Sequence, residues 1–206
     1  VIISDSWKSL ELPLQELQIK NIPSICLVHG NEIIIKNKKH HQRIKNTLNN
    51  VGRIVTNSKY TKKLLNKVSL AFNKIEIIYP GVSNFDDINQ EEIKLPSGKP
   101  TLLTLARLEK RKGHKNILYA VSSLKNQYPN IRYIVAGDGE EKKNLKLLAN
   151  SLEISKNVIF IGSVNESQKK YILNQTDLMI MPTIDETNNL SIEGFGIAYI
   201  EAALFG

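Results

Sequence analysis

The chain has 206 residues, 41% of them hydrophobic, which is enough for one large or two small domains with a substantial core. Its single cysteine, Cys26, excludes an internal disulfide and a multi-cysteine metal cluster and fits a reducing compartment. The formal net charge of +8 favours polyanionic partners (nucleic acid, anionic membrane or phosphorylated small molecules), unless the lysines only solvate the surface. No apolar run is long enough for a transmembrane helix, and the first residues resemble a strand end rather than a signal peptide.

Short apolar runs alternate with helical stretches along the first part of the chain. Pro23 precedes the second run, Ser58 is a plausible helix N-cap, and Pro80-Gly81 stops the last run. The predicted elements are strand 1–3, helix 10–20, strand 25–28, strand 53–56, helix 58–68 and strand 75–79.

Two features of this first part are candidates for function. His29 follows the second strand, where a parallel strand would end, and ligands of open α/β sheets gather beyond such ends. A purely structural histidine is the alternative. Residues 36–45 form a dense basic run that is either a solvated helix face or loop, or a patch that touches anionic lipid headgroups. Little aromatic interleaving occurs there, which argues against single-stranded nucleic acid as a partner.

Residues 83–100 are polar, contain two prolines and a glycine, and predict a linker. After them the alternation becomes regular. The predicted elements are strand 101–106, helix 116–127, strand 132–136, helix 141–152, strand 158–161, helix 168–175 and strand 178–181.

Alternating strands and helices of these lengths predict an α/β protein with parallel, doubly wound sheets. We expect two Rossmann-like domains, at residues 1–82 and 101–206, joined by the linker at 83–100. The first has only three or four strands, and the second stops directly after its last predicted helix. We therefore expect both domains to be truncated and the chain to be a fragment of a longer protein.

Several cations follow the first strand of the second domain. Arg107 and Lys112 lie in the loop 107–114, beyond the carboxyl end of a parallel strand, where an anionic cofactor or a diphosphate would bind. An exposed basic loop without a ligand is the alternative. Gly137-Asp-Gly139 lacks the third glycine of a dinucleotide fingerprint and predicts a turn.

The stretch from Glu193 to Glu201 combines two carboxylates with glycines at 194 and 196. Residues 197–205 are apolar apart from Glu201 and predict a short helix that is buried all round. A buried carboxylate needs a partner, either a ligand or a protein group. The glycines permit close backbone approach, and the helix start would suit a phosphate.

These segments resemble the large retaining family called glycosyltransferase group 1, or family four, over nearly the whole chain and in the right order. The loop Thr104-Leu-Ala-Arg107-Leu-x-x-x-Lys112-Gly-His114 resembles its G-R-L-x-x-x-K-G segment, and Glu193 to Glu201 matches its E-x7-E motif. Further similar segments are Asn57-Ser-Lys-Tyr-Thr61, Ile77-Ile-Tyr-Pro-Gly-Val82, Val135-Ala-Gly-Asp-Gly139, Phe160-Ile-Gly162 and Asp177-Leu-Met-Ile-Met-Pro182. The segments His29-Gly-x-Glu32 and Glu193-Gly-Phe-Gly-Ile most resemble those of the phosphatidylinositol-mannoside mannosyltransferases and their relatives.

The resemblance implies a GT-B fold, two Rossmann-like domains, and a nucleotide-sugar donor, a UDP- or GDP-sugar, that binds mainly to the second domain. It also implies a role for each matching residue. Arg107 and Lys112 would hold the diphosphate without a metal ion, and His29 would approach the transferred sugar. Glu193 would lie by the donor sugar. Gly194, Phe195, Gly196 and Ile197 would contact the donor, Glu201 the ribose, and Val164 the nucleobase.

The chain also departs from the family pattern. A glycine-rich loop near the first strand and the elements after the last helix are absent, Ala106 replaces a frequent glycine, and the lead-in 185–192 is longer than in many members. The activity of these 206 residues by themselves is therefore in question.

The leading hypothesis is a retaining hexosyltransferase of cell-envelope glycan biosynthesis. It would move mannose or glucose to a lipid, polysaccharide or other glycan acceptor. The alternatives are a nucleotide-sugar epimerase or phosphorylase-like enzyme of the same fold, and a non-catalytic basic binding module. We expect no metal cofactor and no nucleic-acid partner. We expect a cytoplasmic protein, able to bind the inner face of the membrane through residues 36–45.

Overall fold

The computed structural model describes residues 1–68, 74–184 and 191–206. By contacts between Cα atoms the chain divides into two compact units. The first unit comprises Val1–Gly81 and Asp185–Gly196, and the second unit comprises Val82–Ile184 and Ile197–Gly206.

The first unit is a parallel sheet covered by helices. Its strands stand in the order β1-β2-β3-β4, and every neighbouring pair is parallel. Parallel strands need crossover connections, which the intervening helices provide. The elements are β1 (Ile2–Ser4), α1 (Trp7–Glu11), α2 (Leu14–Ile19), β2 (Ser24–Val28), a 3-10 turn (Asn31–Ile33), α3 (Lys38–Asn50), β3 (Arg53–Thr56), α4 (Lys59–Leu65), a 3-10 turn (Asn66–Val68) and β4 (Ile75–Ile77).

The core of the first unit forms where α1 and α3 pack on the sheet. Trp7 is fully buried, and its indole Nε1–H donates to the carbonyl oxygen of Glu32 at 2.7 Å, which satisfies its polar atom. Ile44 and Leu48 of α3 lie in the same core cluster as Cys26 of β2. These contacts fix the sheet whose carboxyl edge carries His29.

The second unit is also a parallel sheet, but its strand order reverses. The order is β7-β6-β5-β8, so the chain winds from β5 to β7 in one direction and then returns to place β8 on the other side of β5. The elements are β5 (Thr101–Leu105), a 3-10 turn (Lys110–Lys112), α5 (His114–Leu124), β6 (Arg132–Ala136), α6 (Lys142–Ser151), β7 (Val158–Gly162), α7 (Glu166–Asn174), β8 (Leu178–Met179) and α8 (Ile197–Ala203).

Strand β6 is buried along its whole length because both faces of the sheet are covered. Tyr133 and Val135 belong to one core cluster, and Ile134 and Ala136 belong to another, as the two-residue period of a strand requires. The predicted fold class is confirmed: an α/β protein with two Rossmann-like parallel sheets.

Two helix predictions were wrong in part. The predicted helix 10–20 is two short helices, α1 and α2, because Pro13 between them lacks the N–H that a continuous helix requires. The helix at 197–205 is not buried all round, since Ile197, Tyr199 and Ile200 are each more than 40% exposed. Glu201 on the same helix is buried, at 7% exposed.

The structure assigns the predicted linker differently. Residues 83–100 belong to the second unit, and Phe85 lies in one of its core clusters. The ammonium of Lys170 on α7 donates hydrogen bonds to the carbonyl oxygens of Phe85 and Ile88, at 2.6 and 2.9 Å. The composition of the segment indicates a loop, but apolar residues spaced along it anchor that loop to the sheet.

No helix among residues 1–68, 74–184 and 191–206 combines the length and the apolar character that crossing a membrane requires.

Candidate functional site

The second unit has a topological switch point between β5 and β8. The chain leaves β5 toward β6 on one side, and β8 pairs with β5 on the other, with Leu102 opposite Leu178 and Leu103 opposite Met179. In open α/β sheets, ligands bind in the crevice that forms beyond the carboxyl ends of the strands at such a point. The loop after β5 carries Arg107 and Lys112, so these predicted site residues lie at this edge of the sheet.

The loop after β5 holds its cations close to one carboxylate. Nη1 of Arg107 lies 2.8 Å from Oε1 of Glu109, and Nε of Arg111 lies 2.9 Å from Oε2 of the same residue. The Arg107 side chain is 72% exposed, so its guanidinium remains accessible to an anion from solvent. Lys112 lies in the 3-10 turn and is buried. Glu109 therefore orients the arginines of the loop.

Glycines allow the neighbouring backbone to pack directly against this loop. A Cβ added at Gly137 would lie less than 3.0 Å from the carbonyl oxygen of Ala106, and one at Gly139 would lie less than 3.0 Å from the backbone of Leu108. The N–H of Leu108 donates to the carbonyl oxygen of Asp138 at 2.9 Å. The predicted turn at 137–139 is thus also a support for the Arg107 loop.

His114 begins α5 immediately after this loop and is almost fully buried, at 2% exposed. Neither of its ring nitrogens has a hydrogen-bond partner in the part of the chain that the structure describes. Burial, assisted by the nearby charge of Lys112, lowers the pKa of His114 to about 4, so its imidazole is neutral at physiological pH.

The predicted motif from Glu193 to Glu201 is divided between the two units. Residues up to Gly196 cluster with the first unit, and α8 belongs to the second unit. On α8 the carboxylate of Glu201 pairs with the ammonium of Lys169 on α7, with Oε1 and Nζ 2.7 Å apart. The sequence left open whether a ligand or a protein group pairs with this carboxylate, and in the structure the partner is a protein group. The lead-in at 185–192 falls mostly outside the described residues.

In the first unit the structure brings Gly194 to His29. A Cβ added at Gly194 would lie less than 3.0 Å from both the carbonyl oxygen of His29 and Nδ2 of Asn57. The neighbouring Phe195 packs against the ring of Tyr79, with centroids 5.9 Å apart. The glycine at 194 is therefore required by close packing against the carboxyl edge of the first sheet.

Two acidic residues orient His29. Nε2 of its ring lies 2.8 Å from Oδ1 of Asp5, which follows β1. The carboxylate of Glu32 accepts hydrogen bonds from the backbone N–H groups of His29 and Gly30, at 2.6 and 3.3 Å. The half-exposed imidazole thus projects from the carboxyl edge of the first sheet with one nitrogen engaged by a carboxylate.

The remaining predicted donor contacts lie in the second unit. Val164, in the loop between β7 and α7, packs against the same core cluster as Ala202 and Phe205. Ile197 is the exposed first residue of α8. Among the described residues, no three His, Cys, Asp or Glu side chains come together as a metal site.

The sequence patterns did not indicate three partners of the charged site residues, namely Asp5, Glu109 and Lys169. Glu109 lies two residues from Arg107 and could have been noticed as its near neighbour. Asp5 and Lys169 lie 24 and 32 residues from their partners, and no local pattern indicates those pairs.

Comparison with known proteins shows the family of the chain. The family model described as Glycosyl transferases group 1 matches residues 85–206, more than half of the chain. The alpha-monoglucosyldiacylglycerol synthase of Streptococcus pneumoniae is 26% identical over 174 residues, which cover 79% of this chain and 38% of that protein. A GDP-mannose-dependent phosphatidylinositol monomannoside mannosyltransferase of Mycolicibacterium smegmatis is 27% identical over 108 residues, which cover 52% of this chain and 28% of that protein.

Among solved structures, HepE of Anabaena in complex with UDP superimposes with a TM-score of 0.78 at 18% identity. The match covers 99% of this chain and 57% of HepE, which has also been solved with UDP-glucose. The chain thus spans under two fifths of the curated relatives and just over half of HepE. With the reversed strand order of its second unit, the cationic loop after β5 and the family match over residues 85–206, the chain belongs to the glycosyl transferases group 1 family, with the GT-B fold.

Proposed function

We propose that this chain is the donor-binding part of a glycosyltransferase that takes a hexose, mannose or glucose, from a nucleoside-diphosphate sugar. The sugar passes to a lipid, polysaccharide or other glycan acceptor with retention of anomeric configuration. Family membership supports glycosyl transfer, and the relatives named above support a nucleotide-linked hexose, because their names specify GDP-mannose and UDP-glucose.

The observation that carries the proposal is the pairing of two features at one switch point. Arg107 and Lys112 follow β5, and Glu201 lies on the helix that comes after the adjacent strand β8. A nucleoside diphosphate carries anionic phosphates at one end and a ribose diol nearer the other. Arg107 and Lys112 offer cations for the phosphates, and Glu201 offers a carboxylate for the diol. Cations in this role replace a divalent ion, so we propose that the reaction needs no metal.

For the other predicted residues we propose the roles that the family resemblance implies. Glu193 and the backbone of 194–197 would contact the donor sugar and phosphates, and Val164 would border the nucleobase. His29, oriented by Asp5, would approach the transferred sugar. Front-face attack by the acceptor hydroxyl retains configuration without a protein nucleophile.

For the acceptor, we propose a membrane-linked substrate reached from the cytoplasmic side. In helix α3 the buried residues Ile44 and Leu48 face the core, while Lys38, Lys39 and Arg43 are exposed. Leu12 lies 91% exposed next to Glu11, whose carboxylate binds Arg43 at 2.6 Å. An apolar tip beside several cations suits an anionic membrane surface.

The proposal is tested by binding and by product analysis. Calorimetric titration with UDP-, GDP- and ADP-sugars should give saturable binding of at least one of the first two, and incubation with a lipid extract should yield a glycolipid of retained configuration. A monosaccharide epimer or a sugar phosphate as the product, formed with water or inorganic phosphate, would establish the epimerase or phosphorylase alternative. Salt-sensitive binding to nucleic acid without any binding of nucleotide sugars would favour the basic module.

A further inference from the structure

A buried ion pair joins α7 to α8 in the second unit. The ammonium of Lys169 lies 2.7 Å from Oε1 of Glu201 and 2.8 Å from Oε1 of Glu166. The side chains of Lys169 and Glu201 are 11% and 10% exposed, so the pair is largely removed from water. The same ammonium lies 5.4 Å from the centroid of the Phe85 ring. Lys169 is thus held from three directions and has little freedom to leave Glu201.

The ion pair engages one of the two carboxylate oxygens of Glu201. Within residues 1–68, 74–184 and 191–206, Lys169 is the one hydrogen-bond partner of that carboxylate, and it engages Oε1. An ionised carboxylate accepts hydrogen bonds through both oxygens. Oε2 therefore keeps its capacity to accept from a further donor, while Oε1 is fixed in place.

Lys169 keeps its own positive charge next to Glu201. Burial opposes the positive charge of Lys169, but hydrogen bonds to Glu166 and Glu201 outweigh it, and the pKa of Lys169 is raised. A charged lysine forms a strong, charge-assisted hydrogen bond with the adjacent carboxylate oxygen. An ionised carboxylate can only accept hydrogen bonds, which suits a ligand that offers two hydroxyl groups.

Building on the proposed function, we propose that Lys169 is a positioning residue for the ribose of the donor nucleotide. It holds the Glu201 carboxylate in place through Oε1, so that Oε2 accepts hydrogen bonds from the ribose diol. The selectivity for a ribonucleotide over its dideoxy form then depends on Lys169, which does not touch the nucleotide itself.

The test compares the binding of UDP and GDP with that of their 2′,3′-dideoxy forms by calorimetry in the full chain. We expect wild type to prefer the ribo form of its nucleotide by about tenfold or more, the effect of losing about 1.4 kcal/mol of hydrogen bonding. Glu201→Gln and Lys169→Met should both reduce that preference to about twofold. Their affinity for the dideoxy form should stay within about twofold of wild type, because the diphosphate contacts are intact.

Lys170→Met is the matched control. Lys170 is the next residue on α7 and donates to the carbonyl oxygens of Phe85 and Ile88 instead of to Glu201. Its loss should lower the melting temperature without changing the ribo preference. Lys169→Leu, which likewise has no hydrogen-bond donor, serves as the second variant if Lys169→Met does not fold.

The outcomes separate the inference from the proposed function. Retained ribo preference in folded Lys169 variants, with loss in Glu201→Gln, would overturn the role of Lys169 alone. A wild type that binds diphosphates without ribo preference would overturn the role of Glu201 and the inference with it. A wild type that binds no nucleoside diphosphate would overturn the proposed function and everything that rests on it.

Discussion

Near the switch point, a charged residue can have a protein partner that orients it and still remain accessible to solvent. Arg107 is the clearest example, because Glu109 holds one of its nitrogens while 72% of the side chain is exposed. The diphosphate of the proposed donor would offer the guanidinium more negative charge and a bidentate geometry, so it would compete with the single carboxylate of Glu109.

We therefore expect Arg107→Ala to weaken binding of the nucleoside diphosphate by about tenfold or more, the cost of one charge-assisted hydrogen bond. Arg53→Ala is the control, since Arg53 is a surface arginine that pairs with Glu76 at 3.4 Å in the first unit. Calorimetry measures both affinities at fixed salt. Equal affinity of the Arg107 variant and wild type would remove Arg107 from the diphosphate site.

A second expectation at this scale concerns the glycine that supports the loop. Gly137 has φ +135°, and an added Cβ would clash with the carbonyl oxygen of Ala106. We expect Gly137→Ala to destabilise the fold by about 2 kcal/mol or more. Gly81→Ala has open space around its added Cβ and should change stability by less than about 1 kcal/mol. Urea denaturation of the two variants measures this difference, and equal stabilities would contradict it.

The buried imidazole of His114 makes stability depend on pH. Its pKa is lowered from 6.5 to about 4 in the folded protein, so the unfolded chain binds the proton first as the pH falls. The stability that the neutral imidazole of His114 contributes is complete above pH 6.5 and is lost progressively as the pH falls to about 4. Between pH 7 and pH 5, wild type should lose about 2 kcal/mol more stability than His114→Phe. Parallel urea denaturation curves measure this, and equal losses in the two proteins would show that His114 titrates normally.

At the scale of elements, the chain uses the same strand–helix alternation twice but closes the two sheets differently. The first sheet runs in simple order, whereas β8 returns to the far side of β5 and creates the switch point. The segment 83–100 adds apolar anchors to the second unit instead of remaining a free connection.

Phe85 tests this assignment of the segment. It is 5% exposed, and its ring packs against Phe205 with centroids 5.2 Å apart. We expect Phe85→Ala to destabilise the second unit by about 3–5 kcal/mol, the usual cost of truncating a buried phenylalanine. Ile78→Ala, at a 59% exposed position, is the control and should have little effect. If the two substitutions cost the same, the segment behaves as a linker, as its composition predicts.

At the scale of the whole molecule, the cations behind the net charge of +8 have different surroundings in different parts of the chain. Lysines on α6 or α7 form local pairs, such as Lys142 with Asp138 at 2.6 Å. The run at 36–45 presents the exposed cations Lys38 and Lys39 on the same helix as Arg43, whose partner Glu11 adjoins the exposed Leu12. We propose that this surface binds anionic lipid.

We expect the chain to bind vesicles that contain phosphatidylglycerol and to lose this binding as salt rises toward 0.5 M, because surface charges become screened. Changing Lys36, Lys38 and Lys39 together to glutamate should abolish co-sedimentation. Changing Lys115, Lys143 and Lys156 alters the net charge equally but lies in the second unit, so binding should largely persist. Equal losses would indicate attraction by net charge alone.

The order of strands and helices, the end of a strand before Gly137 and the position of the Arg107 loop were predictable from sequence, because propensity, hydrophobic period and glycine or proline placement act over a few residues. The exposure of α8 was not predictable, since an apolar helix is buried only where a neighbour covers it. The ion pairs of Glu201 with Lys169 and of His29 with Asp5 were equally invisible. Their partners are distant in sequence, and only the packing of α7 on α8 and the parallel pairing of β1 with β2 bring them within hydrogen-bond distance.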